Sequence, residues 1–314
     1  MNQRGPPVLA LDMGGSKLAL ALVRPDGSLQ RHVRRPTAEV HSGDQIVGWV
    51  AEQVASWGAR PQALGVSAGG PLDDQQGVIL GWPRMQMIWG YPLCDRLRQG
   101  LGSLERVRLV NDGCAACAGE VLFGAGQGLS RVLYMTISTG IGGGAVLGGR
   151  LQRGQRGNSA EFGHMIVDPG GPPCDCGGRG HLEALASGSG IYRRAVAAGL
   201  LPQEEFGWAR AGQWLAQRLA AGDEAAGRLW AEALSALATG LANLHCCYVP
   251  QAVVLGGGLS RLVLQHRQRL LELVQGRSRL LPFAAQVLRF SDSRDTIPLL
   301  GAAAVAGGWI ATEE

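Results

Sequence analysis

The chain reads as an α/β protein of two domains, and three observations predict this. Its 314 residues are more than one ordinary core needs, hydrophobic residues make up 46% against 17% charged, and short apolar strands alternate with glycine loops and amphipathic helices. Such a balance buries a core and excludes a disordered chain. The expected division is a smaller domain of residues 1–115 plus 296–314 and a larger one of residues 116–295.

The elements justify this in order. Val8–Leu11 is a short apolar strand, turned by Asp12-Met-Gly-Gly-Ser-Lys17 into a second at Leu18–Val23. Pro25-Asp-Gly27 makes a hairpin turn to a third at Leu29–Arg34. Ile46, Val47, Val50 and Val54 recur at helical spacing, so Asp44–Trp57 is a helix. Ala63–Ser67 is a strand entering a Gly-Gly-Pro loop, Arg106–Val110 another, and Gly113–Phe123 a helix of small residues. The order then starts again with a strand at Arg131–Ser138, a loop at Thr139–Gly144 and a strand at Gly144–Leu147. Helices follow at Gly188–Ala198, Ala209–Ala221 and Asp223–Tyr248. The strand Ala252–Leu255 runs into Gly256-Gly-Gly258, then come helices at Leu259–Val274 and Thr296–Ile310, the last with Pro298 near its start. The recurrence of strand, glycine loop and strand points to two related halves.

Composition narrows the function. The net charge is only +4, and the locally basic stretches Arg31–Arg35 and Arg277–Arg289 carry no interleaved aromatics, so nucleic acid is not expected as a partner. Neither a secretory leader nor a run of about 18 apolar residues is present, so no membrane span is expected. Seven cysteines, two of them in a Cys-x-Cys, suit a reducing compartment with metal binding, hence the cytoplasm. Of 29 basic residues the only lysine is Lys17, which singles that position out.

Three glycine loops carry the chemistry: Asp12–Lys17, Thr136–Gly144 and Leu255–Gly258. Strands ending in small residues leave backbone N–H groups around a concavity that takes oxyanions. The P-loop pattern fails because Lys17 is followed by Leu18, and the dinucleotide fingerprint G-x-G-x-x-G is absent after the first strand. A carboxylate, Asp12, beside phosphate implies an intervening magnesium ion; the alternative is that Asp12 caps its turn. Asp112 stands where a strand yields to a helix, placed either to take a proton from an attacking hydroxyl or merely to cap Gly113–Phe123. The glycine loops favour the base, with the amide of Asn111 orienting further hydroxyls. His164, Cys174, Cys176 and His181 lie within 18 residues among Pro and Gly, as in a structural tetrahedral zinc site; the alternative is free thiols beside surface histidines. Cys114, Cys117 and His245 are expected as packed core residues.

These motifs resemble the ROK family of sugar kinases and related repressors, of the glucokinase and N-acetylmannosamine kinase type. Asp12-Met-Gly-Gly-Ser-Lys17 looks like its first phosphate motif, Gly65-Val-Ser-Ala-Gly-Gly-Pro-Leu-Asp73 its sugar-side loop, and Asn111-Asp-Gly-Cys-Ala-Ala116 its catalytic motif. Thr139-Gly-Ile-Gly-Gly-Gly144 looks like the second phosphate motif and Val254-Leu-Gly-Gly-Gly-Leu259 the adenosine loop. Glu161-Phe-Gly-His164 and Cys174-Asp-Cys-Gly-Gly-Arg-Gly-His-Leu-Glu183 look like the sugar-and-zinc signature, the most specific of the set. The resemblance implies an actin-like ATPase fold of the ribonuclease H-like class, two α/β domains with an interdomain cleft. It implies ATP-dependent phosphorylation of a hexose, usually at the 6-hydroxyl, with Asp112 as base and Gly69, Gly70, Asn111, Glu161, His164 and Glu183 holding the sugar. Asp12, Gly14, Gly15, Ser16, Lys17, Thr139 and Gly140 would handle ATP phosphates and Mg2+, and Gly256, Gly257 and Gly258 the nucleoside. His164, Cys174, Cys176 and His181 would hold Zn2+, and a homodimer is the implied assembly.

Two departures stand out. His181 replaces the third cysteine of the family's zinc set, and Gly81-Trp-Pro-Arg-Met-Gln-Met-Ile-Trp-Gly90 lacks the asparagine of the family's sugar-contacting stretch. Only Met1–Pro7 precede the first strand, which leaves no room there for a repressor's DNA-binding module, and a sugar-sensing protein without catalysis is the remaining rival.

Overall fold

The computed structural model describes residues 5–201, 211–292 and 295–313. They form two compact units: residues 5–130, 144–160 and 295–313, and residues 131–143, 161–201 and 211–292. The chain therefore crosses between units at several places rather than at one change near residue 115 and a return at 296. Elements are numbered in chain order throughout.

In the first unit, β1 (Val8–Met13), β2 (Lys17–Val23) and β3 (Leu29–Pro36) form an antiparallel meander. Strands β4 (Ala63–Ala68) and β7 (Arg106–Asn111) add in parallel on the other side of β1, giving the order β3-β2-β1-β4-β7. The register aligns Ser67, Asp12, Ala19 and Arg34 in one row across the sheet, and directly opposite residues share a face. Helix α1 (Gly43–Ser56) begins where Ser42 accepts the Gln45 N–H, and it buries Ile46, Val50 and Val54. The short pair β5 (Leu72–Asp73) and β6 (Val78–Ile79) and helix α2 (Leu93–Leu101) lie between β4 and β7; none was expected from the sequence.

Helix α3 (Asp112–Phe123) packs on α10 (Ile297–Gly307) through small residues. A Cβ at Gly301 would run into the Ala115 carbonyl oxygen, and one at Gly65 into that of Ala302, so backbone meets backbone where bulk is forbidden. Helix α10 stops at Gly307 rather than Ile310, because Gly308 turns left-handed at φ 69°. The later part of β9 (Ile141–Leu147), with β10 (Arg150–Gln152) and β13 (Ala311–Thr312), completes this unit.

The second unit holds β8 (Val132–Ile137), the start of β9, and parallel β11 (Ala252–Gly256) and β12 (Leu288–Phe290). The order β10-β9-β8-β11-β12 repeats β3-β2-β1-β4-β7, so the related halves read from the sequence are present in the topology. Strand β9 starts at Ile141, three residues earlier than expected, because ladder pairing needs backbone and not side chains. Helices α4 (Leu182–Ala186), α5 (Gly188–Ala197), α6 (Ala211–Ala220) and α7 (Glu224–Tyr248) pack on one another. The start of the expected helix Ala209–Ala221 falls outside the described residues. The single helix expected at Leu259–Val274 is two, α8 (Ser260–Gln265) and α9 (Arg267–Arg277). His266 leaves helical geometry at φ −107° and ψ 20°, and its ring stacks edge-on to Trp230 at 5.6 Å. Cys114, Cys117 and His245 are buried, as expected. No helix among the described residues is long and apolar enough to cross a membrane.

Candidate functional site

The candidate residues of the first unit sit at the carboxyl ends of its parallel strands, where open α/β sheets present ligand-binding groups. Asp12 lies within β1, 9% exposed, and its Oδ1 accepts the Ser67 hydroxyl at 2.7 Å. Its recorded side-chain bond thus runs across the sheet, which overturns the turn-cap alternative. Burial pushes its carboxyl up to about 6, with Ser67 and Lys17 opposing and Asp295 adding. A buried carboxylate so reluctant to ionise is a group that a bound cation would restore, so the residue fits a magnesium ion.

The turn after β1 closes through Gly14 N–H to Lys17 carbonyl at 2.9 Å, and it is braced by the Thr37 hydroxyl, 2.7 Å from the Gly14 carbonyl, and by Thr37 N–H to Ser16 carbonyl at 3.0 Å. Gly15 lies at the tip of this turn. Lys17 Nζ meets Asp295 Oδ2 at 2.6 Å, and Arg34 Nη1 stands 3.6 Å from the same oxygen. Sequence reading singled out Lys17 but not the carboxylate it meets, which comes from 278 residues away.

At the end of β7 the capping task falls to Asn111, whose Oδ1 accepts from Gly113 N and Cys114 N at 3.0 and 3.4 Å. Asp112 is the first helical residue, half-buried, with Oδ1 accepting from Gly113 N at 2.8 Å. The N-cap reading of Asp112 is therefore corrected: the cap is its neighbour. Asn111 Nδ2 faces the Gly69-Gly-Pro71 loop, where a Cβ at Gly70 would stand 3.2 Å from it. Gly69 lies under Trp82, whose indole would be 2.6 Å from an added Cβ. Trp82 belongs to the stretch Gly81–Gly90, which carries no asparagine.

In the second unit, Glu161 opens to solvent on one side, while packing on the other lifts its carboxyl above the usual range, against His164 and with Glu183 adding. Glu183 Oε2 accepts Ile141 N–H at 2.7 Å and lies over Gly140. The Thr139 loop is pinned by α5, with Gly188 N–H to Ser138 carbonyl at 2.8 Å and Ser189 N–H to Thr139 carbonyl at 2.9 Å. Thr139 and Gly258 line one cavity of about 320 Å³, together with Gln213, Leu259, Arg261 and Gln265. Gly256 and Gly257 do not line it: one packs under Tyr134, and the other, at φ +85°, crosses the Ile137 carbonyl. Gln213, Arg261 and Gln265 escaped the sequence reading because lone polar residues on helices carry no motif.

One Nδ1 or Sγ atom from each of His164, Cys174, Cys176 and His181 gathers within 4.8 Å of the others. His164 Nδ1 and His181 Nδ1 are 3.4 Å apart, and Cys176 Sγ and His181 Nδ1 3.2 Å. Two thiols and two imidazoles at these separations fit the edges of a tetrahedron around zinc, roughly 3.5 Å for bonds of 2.0–2.3 Å. Asp175, between the cysteines, meets Arg193 of α5 at 2.5 Å, which fastens the loop to the unit.

The profile of the ROK family matches residues 8–308, and the chain belongs to that family. It is similar to the glucokinase of Thermotoga maritima, 33% identical over 266 residues that cover 81% of this chain and 82% of that protein. Among solved structures it is similar to a ROK hexokinase from Thermus thermophilus, with a TM-score of 0.85, 36% identity and coverage of 96% of this chain and 98% of that one. A ROK family glucokinase from Streptomyces griseus, in complex with glucose and AMPPNP, has a TM-score of 0.73 at 31% identity, covering 96% of this chain and 99% of that one. The fold is accordingly the actin-like one that the sequence motifs implied.

Proposed function

We propose that this protein is an ATP-dependent hexokinase, most simply a glucokinase, that phosphorylates the 6-hydroxyl with Asp112 as general base. The observation that carries the reading is the placement at the end of β7: Asn111 is the helix cap, and Asp112 follows it half-buried as the first helical residue, with one carboxylate oxygen on the Gly113 N–H. In the proposed step the sugar oxygen bonds to the terminal phosphorus as the bond from that phosphorus to the bridging oxygen breaks. ADP departs and Asp112 accepts the hydroxyl proton. Asn111, Gly69, Gly70, Glu161, His164 and Glu183 are the residues proposed to hold the remaining hydroxyls. Gly14, Gly15, Ser16, Lys17, Thr139 and Gly140 orient the phosphates, with Gly258 at the nucleoside cavity and Gly256 and Gly257 shaping the loop behind it.

Magnesium, held through Asp12, would shield the phosphate charge. Zinc, held by His164, Cys174, Cys176 and His181, would crosslink a loop poor in apolar residues. His164 turns Nδ1 to that cluster, which leaves Nε2 for a sugar hydroxyl. A cytoplasmic homodimer completes the proposal, and light scattering measures the assembly.

The test is a coupled ADP-release assay over glucose, mannose, fructose, glucosamine and the N-acetyl sugars, with Asp112→Asn as the control. The variant should lose at least about 100-fold in kcat while still binding sugar and nucleotide. A folded variant turning over near the normal rate removes Asp112 from its role. Inactivity of the unaltered, zinc-loaded protein on every sugar favours a sensing function.

A further inference from the structure

Between β10 and the Glu161 segment, residues 153–158 wind through three left-handed positions, Gly154 (φ 65°), Arg156 (φ 56°) and Gly157 (φ 84°). A non-glycine residue held in that region signals a constraint imposed by its surroundings. The constraint here is a grip on the sugar-side loop. Asn158 pairs with the Leu72 backbone as a neighbouring strand would: Oδ1 accepts Leu72 N–H at 2.9 Å and Nδ2 donates to the Leu72 carbonyl at 2.6 Å. Arg153 Nε donates to Asp74 Oδ2 at 3.0 Å, Arg156 Nη1 stands 3.4 Å from Asp73 Oδ2, and both carboxylates are only 3% exposed. Asp74 N–H donates to the Arg156 carbonyl at 3.1 Å. From the other side, the Pro71 carbonyl accepts from Leu80 N and Gly81 N at 2.8 and 3.3 Å. Gly70 is thereby set between two amides, its Cβ position 3.2 Å from Asn111 Nδ2 and 3.4 Å from Asn158 Oδ1.

We infer that Asn158 is a positioning residue for sugar recognition. It holds Leu72, and through it Gly69 and Gly70, at the distance from Asn111–Asp112 that a hexose requires. This rests on the reading of Gly69, Gly70 and Asn111 as sugar contacts. No nucleotide-binding role follows for the segment, so its effect should fall on one substrate alone.

The experiment measures both KM values, kcat and thermal stability for Asn158→Ala and Asn158→Asp. The expected result is a sugar KM raised about 10-fold or more, with the ATP KM within about twofold and an unfolding temperature near that of the unaltered protein. In Asn158→Asp the carboxylate still accepts from Leu72 N but opposes the Leu72 carbonyl until it is protonated. Its sugar KM should therefore recover towards low pH relative to that of Asn158→Ala, a readout that simple loosening of the fold would not move. Should Asn158→Ala fail to fold, Arg156→Gln, which releases only Asp73, should shift the sugar KM in the same direction by a smaller factor. Normal sugar KM in the Asn158 variants of an active enzyme, or equal shifts in both KM values, overturns the inference alone. Absence of sugar binding by the unaltered protein overturns the site reading and the inference together.

Discussion

Burial gives Asp12 a pH-dependent effect on stability. Its carboxyl titrates near 6 in the folded protein against 3.8 in a free chain, so folding takes up a proton between those values. Stability therefore falls as pH rises through that window, and above it the ionised group costs on the order of 3 kcal/mol. Asp12→Asn keeps an acceptor for Ser67 and removes the charge. Melting curves should show the variant more stable than the unaltered protein at pH 8, equal near pH 4, and without activity. A stability gain independent of pH would show that burial of charge is not the cause. Such a group is destabilising unless it is used, and magnesium-bound phosphate is the use proposed for it.

At the scale of elements, the loop from His164 to His181 buries few apolar side chains of its own, and the proposed zinc crosslink would shape it in their place. Cys174 is buried, but Cys176 lies in solvent and proline and glycine dominate between the histidines. One zinc per chain should be found by elemental analysis. Its removal by a chelator, or Cys176→Ser, should raise the sugar KM by about 10- to 100-fold through loss of His164 orientation. An unchanged KM in metal-free protein would separate the cluster from the sugar pocket. The spacing of these four residues made their clustering legible in the sequence. Asn158 was not, because an asparagine beside glycine is the ordinary composition of a turn. Neither was Asp295, since nothing local records that it meets Lys17. Helix α2 passed unread because its buried stripe, Leu93, Cys94 and Leu97, spans barely one turn among charged residues. Strands β5, β6 and β13 have two residues each, too few for a period, and exist through pairing with other segments.

Across the whole chain, α10 arrives from the far end of the sequence to close the unit begun by β1. That unit is incomplete until residue 307 is in place, and the contact it makes on α3 leaves no space for a methyl group at residue 301. Gly301→Ala should lower the unfolding free energy by about 3 kcal/mol, the upper end of overpacking costs. Wild-type stability in that variant would show that the two helices part without loss. The doubled strand order was the part of the fold most visible in the sequence, because strand, glycine loop and strand recur within each half. The segments by which the chain crosses between its units carry no such pattern. Among 28 arginines stands one lysine, Lys17. An amine-directed acyl donor or reductive methylation would modify only one side chain, Lys17, apart from the α-amino group. Isotope-labelled methyls placed there would test the proposed nucleotide contact of Lys17 through a single side-chain resonance.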